Sequence, residues 1–174
     1  MLKVLGDEKH NIHLYLQLLY KQYMKIEKAI KSTQEMSIST KTVINLIHTS
    51  RVIEEAISSE LKPFDLTIQQ YNVLRILRGQ KGNPANLSTL QERMVDRNSN
   101  TTRLIDKLIK KGWVVRQVCA ENRRKIEIFI TKNGLDLLKQ LDPITESKNK
   151  RMLQHVSGTE LDILNETLNN VRTI

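Results

Sequence analysis

Apolar residues recur at helical spacing along most of this 174-residue chain and at strand spacing in one short region. Near the N-terminus the apolar positions lie alternately four and three residues apart, which predicts an amphipathic helix over about residues 7–31. A second apolar stripe ends before Pro63, because the residue before a proline avoids the α-helical region. The first stripe is Ile12, Leu16, Leu19, Tyr23, Ile26 and Ile30, and the second is Val43, Ile47, Ile53, Ile57 and Leu61.

Capping residues predict two short helices in the middle of the chain. Thr67 is placed to cap a helix that Gly79 closes. Ser88 and Gln91 have capping-box spacing, which predicts that a further helix begins there and continues through Met94.

A third helix and a hairpin follow directly. The sequence predicts a helix from about Ser99 to Lys111, which Gly112 stops and which has Leu104, Ile105, Leu108 and Ile109 on one apolar face. Two β-branched runs, 113–115 and 126–130, predict strands joined by the basic turn 120–124. A helix followed by a basic hairpin is the layout of a winged helix-turn-helix. We therefore predict a mainly α fold with a small β wing.

Two more helices are predicted at the C-terminal end. Thr131 is placed to cap a long one, which Pro143 should kink or interrupt, and Ser157 with Glu160 should cap the last. The two helices at each end of the chain have an apolar face that needs to be buried, so we expect them to pair with the helices of a second subunit. The predicted segments are an N-terminal helical extension (1–35), a dimerisation helix (36–62), a winged helix-turn-helix DNA-binding domain (63–131) and C-terminal dimerisation helices (132–174).

Positive charge is concentrated around the predicted helix and hairpin. Residues 93–125 hold ten Lys and Arg residues against three acids, a formal charge of +7 out of the chain's +9. Such a concentration marks a face that meets a polyanion. Charge alone fits an RNA-binding or membrane-binding face equally well, but an aromatic content of 4% disfavours a stacking platform for single strands.

The same region resembles the multiple-antibiotic-resistance regulator (MarR) family of bacterial transcription factors. The resemblance covers roughly residues 40–174 and is carried by the run Asp96 to Leu108, by Lys111-Gly112-Trp113-Val114 and by the arginines of the turn. Family members have an Asp-x-Arg signature at the wing tip, where this chain has Asn122 and Arg124. The resemblance implies a homodimer on a pseudopalindromic operator, with the helix in the major groove and the wing in the minor groove.

Short polar side chains and forked cations at the start of the predicted helix suit base edges and phosphates. Lys107 is placed to neutralise a phosphate, and two arginines at a tight turn suit a narrow minor groove. The predicted DNA-binding residues are Arg97, Asn98, Ser99, Asn100, Thr102, Arg103, Lys107, Arg123 and Arg124.

The resemblance also implies a small aromatic effector, for which Tyr71 and His48 are the candidate contacts. The alternative function is a protein-interaction module in which the winged domain docks a partner and binds no DNA. Binding to duplex DNA at two salt concentrations separates the two.

Other functional classes have little support. No Ser/His/Asp grouping, Gly-rich phosphate loop or carboxylate pair is present, so we predict no enzyme activity and no cofactor. The single cysteine, Cys119, is predicted to be a structural residue of the first wing strand, and His10 with His13 makes at best a weak metal pair. No apolar run approaches the roughly 20 residues that a membrane span needs, so we expect a cytoplasmic protein.

Overall fold

The structure, a computed structural model, describes residues 25–173. The chain divides into two compact units, Met1–Val52 and Ile53–Ile174. Most of the predicted first helix, residues 7–24, lies outside the described residues. None of the helices within residues 25–173 has the length and apolarity that crossing a bilayer requires.

In the first unit a single helical turn precedes a long helix. The turn, α1 (Ile26–Ala29), buries Ile26 and ends before Lys31, whose φ of 55° breaks the helix close to the predicted end at about residue 31. Helix α2 (Ile38–Leu61) begins after Ser37, whose hydroxyl accepts a hydrogen bond from the Thr40 amide at 3.2 Å.

The second unit contains the end of α2 and the rest of the chain. Helix α2 ends at Leu61, as Pro63 predicts, and a 3₁₀ turn (Lys62–Phe64) leads to Asp65 in the left-handed conformation. Helix α3 (Ile68–Gly79) then begins with the predicted cap at Thr67, reinforced by a reciprocal capping box with Gln70. Its buried apolar residues, Tyr71, Val73, Leu74 and Leu77, form the centre of the hydrophobic core.

Helix α4 (Leu87–Arg93) begins earlier than predicted. Its cap is Asn86, whose Oδ1 accepts from the Thr89 amide at 2.8 Å, and not Ser88, whose hydroxyl instead donates to the same oxygen at 2.7 Å. The preceding residue, Ala85, makes two backbone hydrogen bonds with Ile128, of 3.0 and 2.8 Å. This pairing fixes where the extended segment ends and therefore where the helix begins.

Helix α5 (Thr101–Lys110) begins two residues later than predicted, with Asn100 as its cap. Ser99 is held outside the helix because its hydroxyl donates to the Asp96 carboxylate at 2.9 Å. At the other end Gly112, with φ 70°, terminates the helix as predicted. Its amide donates to the Ile109 carbonyl, and the Trp113 amide donates to the Leu108 carbonyl, which is the bond pattern of a Schellman motif.

The wing is an antiparallel hairpin of β1 (Val114–Val118) and β2 (Ile126–Ile130). Strand β1 begins one residue later and ends three residues later than the predicted run 113–115. Cys119 therefore follows the strand rather than lying in it, although its amide still donates to the Lys125 carbonyl at 3.0 Å. On the other edge of β2, the bridge to Ala85 ties the hairpin to the segment before α4.

Two helices complete the second unit: α6 (Lys132–Met152), capped by Thr131, and α7 (Gly158–Val171), which has the predicted capping box of Ser157 and Glu160. Helix α6 is continuous through Pro143, so the predicted interruption is wrong. Buried residues on both sides of the proline, Leu141 and Thr145, hold the helix in place, and this packing outweighs the one lost backbone hydrogen bond.

Candidate nucleic-acid interface

Helix α5 has one buried face and one polar face. Ile105 and Leu108 are completely buried, and α5 packs against α3, α4 and β1. The opposite face is exposed and carries Thr102, Arg103, Asp106, Lys107 and Lys110. The packing thus presents a row of mainly cationic side chains to solvent along the helix that the sequence predicted for the major groove.

The residues just before α5 are partly engaged in local hydrogen bonds. The Asp96 carboxylate accepts from the Asn98 amide and from the Ser99 hydroxyl, at 3.1 and 2.9 Å. The Asn100 Oδ1 accepts from the Arg103 amide at 3.0 Å, which leaves the Asn100 side-chain NH₂ as the group able to donate outward. Asp96 therefore holds the turn, while Arg97 and Asn98 are exposed.

The wing tip is a hydrogen-bonded turn built around Asn122. Its amide donates to the Cys119 carbonyl, the Lys125 amide donates to the Asn122 carbonyl at 2.8 Å, and the Asn122 Oδ1 accepts from the Arg124 amide at 3.0 Å. The side-chain oxygen thus supports the turn without a carboxylate charge. Arg123, Arg124 and Lys125 are all exposed around this turn.

All four predicted DNA-binding arginines lack a salt bridge to the described residues. Arg97, Arg103, Arg123 and Arg124 are exposed, and none of them forms an ion pair with any of residues 25–173. Uncompensated guanidinium groups on one module are suited to phosphates, which they can bind without first giving up a protein partner.

Lys111 has a different position from the other cations of this stretch. Its ammonium donates to the carboxylate of Asp65 at 2.6 Å and to the backbone carbonyl of the same residue, and it lies 5.0 Å from the centre of the Trp113 ring. The hydrogen bond from Lys111 holds the pKa of Asp65 below its ordinary value. Lys111 therefore anchors the end of α5 to the turn after α2, and Lys107 and Lys110 are the lysines of this helix that stay exposed.

Sequence reasoning missed one ion pair between α5 and the wing. The Arg116 guanidinium donates to the Asp106 carboxylate at 3.0 Å. The side chains retain 38% and 50% of their exposure, respectively. The alternation of β1 offered a weak signal, since Arg116 occupies the same face as the buried Val114.

The two predicted effector contacts lie in different units. Tyr71 is buried in the second unit and lines a cavity of about 480 Å³. Its hydroxyl is 3.2 Å from the Thr145 hydroxyl, and the Arg75 guanidinium lies 5.7 Å from its ring centre. His48, on the part of α2 in the first unit, is not among the residues lining this cavity, which include Ile57, Arg75, Arg78, Asp142 and Thr145.

A metal centre finds no support among the described residues. Within residues 25–173 no three His, Cys, Asp or Glu side chains are grouped closely enough to hold an ion. The histidine pair considered from the sequence, His10 and His13, lies outside these residues.

Comparison with known proteins identifies the same module. The MarR family model matches residues 66–126. The uncharacterised helix-turn-helix-type transcriptional regulator YfiV of Bacillus subtilis is 31% identical over 121 residues, which are 66% of this chain and 74% of that protein. The crystal structure of a MarR transcription factor from Planctomyces limnophilus is 30% identical, covers 78% of this chain and 98% of its own, and has a TM-score of 0.61.

A more distant structure shares the fold. It is an organohalide-sensing transcriptional regulator crystallised with 2,4-dichlorophenol, which is 20% identical to this chain. It covers 81% of this chain and 83% of its own, with a TM-score of 0.73. At this identity the likeness concerns the architecture alone.

Proposed function

The chain belongs to the MarR family of transcriptional regulators, and we propose that it is a repressor that binds a pseudopalindromic operator as a homodimer and responds to a small aromatic ligand. The observation that carries this proposal is that α5 and the wing expose Arg103, Arg123 and Arg124, which form no ion pair with any of residues 25–173. They lie on the two elements that a winged helix-turn-helix directs into adjacent grooves of one duplex.

In this proposal the two elements have different tasks. Thr102 and Arg103, in the first turn of α5, contact base edges in the major groove, where a guanidinium can bind the O6 and N7 atoms of guanine together. Lys107 binds a phosphate. At the wing tip Arg123 and Arg124 enter the minor groove, whose negative potential is strongest where it is narrow. Arg97, Asn98, Ser99 and Asn100 contact the backbone or bases at the edge of the half-site.

Apolar surface supports the homodimer. In the first unit α2 exposes Ile38, Val43, Ile47 and Val52, each at least half accessible. In the second unit α7 exposes Ile163 at 60% and Leu164 at 43%. Apolar side chains exposed in series along a helix are typical of a surface that a second subunit covers. A dimer that occupies a promoter would exclude RNA polymerase from it, which is why we favour repression.

The cavity beside Tyr71 supports the effector site. The Tyr71 ring and Ile57 can contact an apolar ligand. Arg75 is the cation that can bind an acidic substituent, because the other arginine of the cavity, Arg78, is already bound to Asp142 at 2.9 and 2.7 Å. A related fold binds 2,4-dichlorophenol. A ligand that binds better to one arrangement of the dimer than to the other shifts the population toward it, and DNA affinity changes by the same coupling energy.

Selection of bound sequences from random duplexes tests the proposal. We expect a two-fold symmetric site whose affinity falls steeply as salt rises, because each phosphate contact releases about one counterion. Binding without symmetry, or with a salt slope near zero, contradicts it. For the effector, 2,4-dichlorophenol should bind more tightly than its methyl ether, which has no acidic proton, and Arg75→Met should remove that difference.

A further inference from the structure

We propose that the Asp106–Arg116 ion pair sets the angle between the wing and α5, so that both elements fit one duplex at once. Arg116 is thus a positioning residue and not a phosphate contact. The inference rests on the DNA binding proposed above and concerns how that binding acquires its preference for the operator.

Strand geometry directs Arg116 toward α5. Side chains alternate along a strand, so Arg116 shares a face with Val114, which is buried. Across the ladder it lies opposite Ile128, which is also buried. This face therefore continues the core surface on which α5 and β1 pack. At the position where the core ends, the Arg116 guanidinium binds the Asp106 carboxylate at 3.0 Å.

The pair is the outermost attachment of the wing to α5. At the base of the hairpin, the Trp113 amide bonds to the Leu108 carbonyl. The Ala85 bridge lies at the same level as Arg116, opposite it at Ile128, but it joins the other edge of the wing to the segment before α4 and not to α5. Among residues 25–173, the bond from Arg116 to Asp106 is the one side-chain hydrogen bond that joins the hairpin strands to α5. An attachment far from the base of a hairpin has the greatest effect on its tilt.

The charge of Asp106 is otherwise hard to reconcile with its place. It lies on the exposed face of α5, three residues after Arg103 and next to Lys107. A carboxylate there repels phosphates, so electrostatics alone predict that its removal strengthens binding to every duplex. A positioning role predicts the opposite for the operator. The two accounts therefore predict opposite changes in operator affinity when the Asp106 charge is removed, and this difference can be measured.

The experiment compares Asp106→Asn, Arg116→Gln and the double variant on two duplexes, the selected operator and a random sequence of equal length. Each single change should lower the ratio of operator affinity to random affinity about fivefold, near the upper limit for one exposed ion pair. Asp106→Asn should bind the random duplex at least as tightly as the unaltered protein. The double variant should lower the ratio no further than the single changes, because both remove the same bond.

The control is Arg123→Gln, alone and combined with Asp106→Asn. Arg123 lies at the wing tip without an ion pair to any described residue. The fold-reductions in the affinity ratio caused by Arg123→Gln and by Asp106→Asn should therefore multiply in the combined variant. The affinity ratio is unaffected by the fraction of protein that is folded, because unfolded protein is lost equally from both measurements. Arg116→Lys, which keeps the charge and a single donor, should recover part of the ratio.

Two outcomes overturn the inference. If Asp106→Asn strengthens binding to both duplexes alike, the carboxylate acts through charge alone. If the losses of Asp106→Asn and Arg116→Gln multiply, the residues act separately and Arg116 contacts DNA itself. Failure of the unaltered protein to bind any duplex would instead contradict the proposed function, and is seen before any variant is made.

Discussion

The hydroxyl of Thr131 donates to the carbonyl of Gly112 at 2.8 Å while accepting from the Gly134 amide at 3.1 Å. One side chain therefore caps α6 and holds the turn that ends α5. The Thr131 amide adds a bond to the Trp113 carbonyl at 3.0 Å. The end of α5, the start of the wing and the start of α6 are thus joined at a single residue.

Replacing Thr131 by valine should destabilise the protein. Valine keeps the shape but removes the cap and leaves a carbonyl and an amide without their partner, which together amount to about 1–2 kcal/mol. The free energy of unfolding in urea measures the loss. Thr131→Ser retains the hydroxyl and serves as the control, so an equal loss in both variants would contradict this role.

Gly134 should tolerate no side chain. It is buried in the first turn of α6, and a Cβ atom there would collide with the Trp113 carbonyl oxygen and approach the Ile130 Cγ1 atom to 2.8 Å. We expect Gly134→Ala to destabilise the protein by about 1–3 kcal/mol through overpacking. At Gly79, also helical, an added Cβ meets no atom of the described residues within 4 Å. Gly79→Ala should therefore be neutral or slightly stabilising in the same urea experiment.

Arg103→Ala and Arg124→Ala should weaken DNA binding in different ways. Loss of a guanine contact by Arg103 should reduce discrimination at one or two positions of each half-site by about 1–3 kcal/mol. Loss of Arg124 should weaken binding most on sites with A·T-rich flanks, where the minor groove is narrow. Affinities for a panel of single-base operator variants measure both effects. Lys139→Ala, an exposed cation on α6, is the charge control and should change neither pattern.

A charge on the apolar surface of α7 should prevent dimerisation. Leu164→Glu places a carboxylate where we propose that a second subunit packs, and burying it unpaired would cost several kcal/mol. Light scattering should then show monomers that bind the operator weakly. Thr159→Glu adds the same charge at an exposed polar position of the same helix and should remain dimeric. An unaltered protein that is monomeric at micromolar concentration would contradict the dimer.

The contact between Lys111 and Asp65 should make stability pH-dependent in the acid range. The pKa of Asp65 is lowered in the folded protein by its bond to Lys111. The contact therefore stabilises the fold above the unfolded pKa of about 3.9 and stops doing so as the pH falls through the lower folded value. The difference in unfolding free energy between the unaltered protein and Asp65→Asn should shrink over that interval. Lys111→Met should abolish the same pH-dependent part of the stability. If the difference between the unaltered protein and Asp65→Asn is constant with pH, the Lys111–Asp65 contact does not cause it.

Much of the fold could be predicted because its signals are local. The caps at Thr67 and Ser157 depend on partners three residues away, which the sequence displays directly. The start of α4 was predicted wrongly because Ala85, paired with Ile128 more than 40 residues later, decides where the extended segment ends. Long-range pairing of this kind has no local pattern.

The candidate site shows the same division. Exposure of Arg103 and Lys107 follows from the helical period of α5, whose apolar face was predicted correctly. The bond between Asp106 and Arg116 depends on how α5 and β1 pack and on the register of the hairpin, and neither can be obtained from spacing alone. The requirement for glycine at position 134 could not be predicted from the sequence either, because it depends on how closely the end of β2 approaches α6.

The bridge between Ala85 and Ile128, together with the Thr131 contacts, joins α4, α5 and the wing through backbone hydrogen bonds at several points. These bonds make the base of the module rigid, and while the proposed Asp106–Arg116 contact also holds, the wing keeps its angle to α5. A ligand that switches this protein off would therefore act on the spacing of two intact modules. It would lower affinity by a common factor at every operator and leave the ranking of operators unchanged.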